Sequence, residues 1–81
     1  MESTNSLYSV YDVKAQRYGP MFESQNDAVA GRQFAQVLTG ITEQFRSEYK
    51  LMKLGTIDFI TGELCQLEKP YEVPNPYSFQ G

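Results

Sequence analysis

Between Ser24 and Ile41 the chain reads SQNDAVAGRQFAQVLTGI, the stretch in which apolar residues recur most clearly at helical spacing. Ala30, Phe34, Val37, Leu38 and Ile41 fall three and four apart, which gives a helix over Asn26 to Thr39 with one oily stripe. Arg32, Gln33 and Gln36 fall on the other side. Ser24 or Asn26 can cap the helix by accepting a hydrogen bond from a free backbone N–H, and Asp27 suits the positive end of the helix dipole. Gly31 weakens the helix by ~1 kcal/mol relative to alanine, and Gly40 is expected to end it in the left-handed conformation. A single striped helix needs a surface to cover, and the remaining sequence must supply it as sheet.

The flanking segments have the period of strands. From Leu7 the residues alternate, with Leu7, Ser9, Tyr11 and Val13 on one side and Tyr8, Val10 and Asp12 on the other. Asp12 to Arg17 is polar enough to turn, and Tyr18 to Glu23 reads as the returning strand. Gly19 and Pro20 limit its ladder bonds, which points to a sheet edge or a bulge. Ile41 to Glu48 can add a short helical turn with Phe45 tucked inward. Tyr49 to Asp58 is a third strand, Gly62 supplies a positive φ in the turn that follows, and Glu63 to Leu67 is the fourth. Residues 1–6 are polar and expected to be loose. Residues 69–81, rich in proline and tyrosine, are expected to form an extended tail laid over the domain or a partner. The order β-β-α-β-β makes the fold α+β: over residues 7–68, a small antiparallel sheet carries the helix on one face.

Eighty-one residues allow one domain with a thin core, so pairing into a homo-dimer is a plausible supplement. Leu, Ile, Val and Phe together number 19, above the level of a disordered chain. With no histidine, imidazole-based triads and histidine–cysteine zinc sites are excluded. Cys65 is the only cysteine, so no internal disulfide forms, and it reads as a small hydrophobe with no base to activate it. No apolar run approaches the ~20 residues of a membrane span. The ten carboxylates form no pair that the sequence directs into a pocket. The expectation is a soluble protein that is not an enzyme and needs no cofactor or metal.

The net charge of −3 gives no overall attraction to phosphate, so nucleic-acid binding would need a local basic patch. Lys14 and Arg17 flank the first turn, Arg32 lies on the helix, and Arg46, Lys50 and Lys53 cluster near the third strand. Tyr8, Tyr11, Tyr18 and Tyr49 are interleaved with them. Aromatic rings that stack on bases, beside cations that meet phosphates, make a surface for single-stranded nucleic acid. The same pattern suits half-buried strand tyrosines and solvated turns, because Asp12, Glu23, Glu48 and Asp58 sit among the same basic groups.

Three stretches, LYSVYDVKAQRYGPMF, QNDAVAGRQFAQVL and YKLMKLGTIDFITGEL, span residues 7–64 and resemble the small non-structural protein of gokushovirus-type microviruses, bacteriophages with circular single-stranded DNA. The matching positions are Asn26, Asp27, Ala28, Arg32, Phe34, Leu54, Gly55, Asp58, Thr61 and Gly62. Gly40 to Glu48 and the PYEVPNPYSF tail depart from the family pattern. The resemblance implies a non-structural phage protein that binds single-stranded viral DNA during replication or packaging in the host bacterial cytoplasm. Lys14, Arg17, Arg32, Lys50 and Lys53 would meet phosphates, and Tyr11 and Tyr18 would stack. The alternative is an adaptor engaging a viral or host protein such as the capsid precursor or replication initiator, with Tyr71, Tyr77 and Phe79 of the tail among its contacts.

Overall fold

The computed structural model describes residues 3–74. Strand β1 spans Thr4–Asp12, β2 Arg17–Ser24, helix α1 Asp27–Thr39, a 3-10 helix Glu43–Glu48, β3 Tyr49–Asp58 and β4 Leu64–Glu72. The sheet order is β2-β1-β3-β4 with every neighbouring pair antiparallel. β2 and β3 therefore run parallel on either side of β1. A chain joining two parallel strands has to cross the sheet, and α1 makes that crossing. This is the expected α+β arrangement.

Asn26 is the residue that caps α1. Its backbone is extended (φ −159°, ψ 175°) and its Oδ1 accepts from the Val29 N–H at 2.9 Å. Ala30, Phe34 and Leu38 are buried, joined by Tyr8, Leu51 and Val73 from the sheet, with Val10, Phe22, Ile41 and Tyr49 around them. Val37, expected in the stripe, is instead 49% exposed. The sheet touches a narrower sector of the helix than the apolar spacing describes. Phe45 is likewise exposed rather than tucked inward. Gly40 does not end α1 in the left-handed region, for its φ is −85°. The last turn tightens instead, with Gly40 N–H donating to Val37 O and Ile41 N–H to Leu38 O.

Tyr8 ties the two layers together. It is fully buried on the central strand, its ring stacks on Phe22 with centroids 5.7 Å apart, and its hydroxyl donates to Asp27 Oδ1 at 2.6 Å. Burial first, then the bond to the Asp27 carboxylate, pushes its pKa up to about 12.

The strands differ from expectation at their ends. β1 starts at Thr4, inside the segment expected to be loose. β4 runs to Glu72 rather than stopping at Leu67, and Val73 beyond it is buried with its N–H donating to Leu51 O. Residues 69–74 thus belong to the packed sheet, and the rest of the expected tail, with Tyr77 and Phe79, lies outside the described residues. Proline is tolerated in β4 because the strand is an edge and its register breaks there. Lys53 pairs with Tyr71 and Gly55 with Gln66, so Leu67 to Pro70 stand opposite Leu54 alone. The other edge shows the expected bulge, since Gly19 and Pro20 together oppose Val10.

Gly55 lies where β3 and β4 approach most closely. A Cβ there would fall inside the van der Waals shell of the Cys65 carbonyl oxygen. Gly62 has the expected positive φ, 79°. Its turn is held by Asp58, whose Oδ1 accepts from the Ile60 and Thr61 N–H groups and whose carboxyl is thereby held below the usual range.

Two outcomes follow from these contacts. Gly55→Ala should destabilise the protein by roughly 2 kcal/mol or more, read as a lower urea midpoint, because a backbone carbonyl cannot rotate away as a side chain can. The tyrosine of an unfolded chain titrates near 10, whereas Tyr8 in the folded protein holds its proton to about 12. The unfolded state therefore releases its proton first, so this stabilisation is complete below about pH 10 and is lost as pH rises towards 12, by at most roughly 3 kcal/mol. Tyr8→Phe should be less stable than the wild type at pH 7 and should lose less stability between pH 10 and 12, as measured by urea unfolding along a pH series.

Candidate nucleic-acid interface

A strand's successive side chains alternate between faces, so the register sorts every candidate. Tyr8 and Val10 face α1, which leaves Asn5, Leu7, Ser9 and Tyr11 on the uncovered face of the sheet. Tyr11 pairs with Tyr18 on one side and with Lys50 on the other. The two tyrosine rings lie 4.8 Å apart at 57°, and Tyr18 is 38% exposed. Two rings and one ammonium thus form a row across three strands at one end of the open face.

The turn at the end of that row carries Lys14 and leads into Arg17, both exposed. Its shape is fixed by Asp12, whose Oδ1 accepts from the Ala15 N–H at 3.0 Å, and by Gln16, which takes a positive φ of 56°. Ser9 holds the neighbouring bulge by donating its hydroxyl to Gly19 O at 2.8 Å. Lys14, Arg17, Tyr11, Tyr18 and Lys50 therefore share one end of the sheet, although Arg17, paired with Asp12, starts β2 on the helix-facing side and not on the tyrosine face. Lys50 also has a counter-charge, Glu72 at 3.8 Å, with both side chains about half exposed.

The other two candidates stand elsewhere. Arg32 is exposed on α1, in the layer that covers the opposite face. Lys53 pairs with Tyr8 and so shares the helix-facing side, where it lines an open cleft of about 440 Å³ with Asp27, Leu67, Glu68, Lys69 and Tyr71. The two lysines and two carboxylates of that cleft balance in charge. The separation of Lys50 from Lys53 was present in the sequence: an interval of three residues in a strand sends side chains to opposite faces. What sequence patterning left out is the rest of the open face, where Leu7, Met21, Met52, Ile57 and Leu64 adjoin the tyrosine row.

Among the described residues, no three His, Cys, Asp or Glu side chains gather as a metal-binding group, and no helix is long and apolar enough to cross a membrane. Cys65 is exposed on β4 rather than buried as a small hydrophobe.

The sequence matches the model of the Phage ORF5 protein family over residues 5–79, nearly its whole length. The chain belongs to that family. No curated protein and no solved structure matches it. As a Phage ORF5 family member the chain is a bacteriophage accessory protein, and the match extends across the first hairpin, α1 and the second hairpin alike.

The ion pair beside the tyrosine row is a solvent-screened contact with little energetic weight. Glu72→Gln should shift stability by less than about 0.5 kcal/mol, measured by thermal unfolding, while leaving the Lys50 ammonium without its carboxylate neighbour.

Proposed function

We propose that this phage protein binds single-stranded DNA at the end of the sheet formed by Tyr11, Tyr18, Lys50 and the Lys14–Arg17 turn. The phage would be a small single-stranded-DNA virus of the gokushovirus type, and the protein would act in the host cytoplasm during genome replication or packaging. The observation that carries this reading is the Tyr11–Tyr18 pair at 4.8 Å on an uncovered sheet face, with Lys50 beside it and the Lys14–Arg17 turn at the same end of the sheet. Exposed rings accept bases by stacking without regard to sequence, each stack contributing about 1–3 kcal/mol. Lys50 lies beside the rings, and Lys14 and Arg17 stand at the same end of the sheet, Arg17 on its helix-facing side, where they could meet the sugar–phosphate backbone. Lys53, on the helix-facing side of the sheet, and Arg32, on α1, would contribute only through the long-range field. Since the chain is acidic overall, contact depends on these few cations and is strongly weakened by salt.

Fluorescence anisotropy with a labelled single-stranded oligonucleotide at low salt tests the proposal. Tyr18→Ala should weaken binding by about 5- to 150-fold, the equivalent of one lost stack. Neutralising Lys14 and Arg17 together should flatten the plot of log affinity against log salt by roughly 1.4, about 0.7 per phosphate contact. Arg32→Gln and Lys53→Gln should change that slope much less. Absence of binding at tens of micromolar wild-type protein would end the proposal.

A further inference from the structure

We infer that a second copy of this chain docks on the open face of the sheet, on the apolar block that adjoins the tyrosine row. Leu7, Met21, Met52, Ile57 and Leu64 lie there on four adjacent strands, on the face that α1 does not cover. Met21 is 62% and Leu64 64% exposed, and Ile60 in the adjoining β3–β4 turn is 74% exposed. A core of six buried hydrophobic residues among the described ones leaves this much apolar surface outside it.

Three observations favour a second copy. The first is that both edges of the sheet are blunted, β2 by the bulge at Gly19 and Pro20 and β4 by the irregularity from Leu67 to Pro70. Such edges resist continuation of the sheet by an added strand, so pairing of copies falls to the face. The second is that this face carries little charge, one ion pair and one further carboxylate. Lys50 meets Glu72, and Glu23 accepts a hydrogen bond from Asn5 Nδ2 at 2.8 Å. A chain of net charge −3 repels its copy less where the contact is poor in charge, and this face carries only the Glu23 carboxylate beyond its ion pair. The third is size. Strand spacing and rise give the face roughly 400 Å² per copy, and the β3–β4 turn extends it to about 500–600 Å². Two such faces bury about 1,100 Å², at the low end of specific interfaces, which suits a weak symmetric dimer.

Sedimentation equilibrium over roughly 10 μM to 1 mM full-length protein tests this directly. The wild type should pass from monomer to dimer within that range. Met21→Lys and Leu64→Lys, at sites already exposed to water, should stay monomeric while keeping the wild-type circular dichroism. Val37→Ser, on the outer side of α1, should dimerise as the wild type does. A wild type that stays monomeric to 1 mM overturns the inference and leaves the face to a different protein. A dimer indifferent to both lysine variants overturns it as well. Oligonucleotide binding is read separately, by the anisotropy of the Tyr18 and Lys14–Arg17 variants.

Discussion

The bond from the Tyr8 hydroxyl to Asp27 fixes where the helix sits on the sheet. Tyr8 lies on the central strand with its ring wholly inside, so its hydroxyl needs a partner within reach, and a buried hydroxyl left alone costs a substantial part of a small domain's stability. Asp27 supplies that partner from the first turn of α1 while also facing the positive end of the helix dipole. One carboxylate thereby anchors the start of the helix and the middle of the sheet. From this point Ala30, Phe34 and Leu38 follow onto Leu51 and Val73 at helical spacing.

Placing the helix also decides which face stays open. With Tyr8 and Val10 turned towards α1, alternation sends Leu7, Ser9 and Tyr11 to the other face, where Ser9 is itself buried, and cross-strand pairing gathers Tyr18, Lys50, Met21 and Met52 beside them. The candidate DNA-binding row and the candidate self-docking block are neighbouring parts of that face. The blunted edges leave it as the principal surface open to a partner, since a bulged edge strand presents a broken ladder.

Much of this was legible in residues whose determinants are local. Asn26 caps a helix three residues ahead through its own side chain, and Gly62 supplies a positive φ within one turn. Gly19 and Pro20 announced a bulged edge because proline cannot donate to a ladder. The alternation from Leu7 to Val13 sorted Tyr8 from Tyr11 without saying which of them the helix would cover. Val37 looked like a core residue because helical spacing measures an apolar sector and does not measure how much of it a curved sheet can touch. The strand in β4 outran its expected end because its pairing resumes beyond four unpaired residues, an event governed by β3.

By itself, then, the sequence determined one capped helix, four strands in a β-β-α-β-β order and the absence of imidazole chemistry, since each of these rests on neighbours a few positions apart. Only the tertiary structure decided the strand order, the bulges at Leu54 (left unpaired because Lys53 opposes Tyr8 and Gly55 opposes Leu7) and at Leu67 to Pro70, and the gathering of Tyr11, Tyr18 and Lys50 with Lys53 on the far side. Those features depend on register between strands up to dozens of residues apart, and a shift of one residue would exchange the two faces of the sheet.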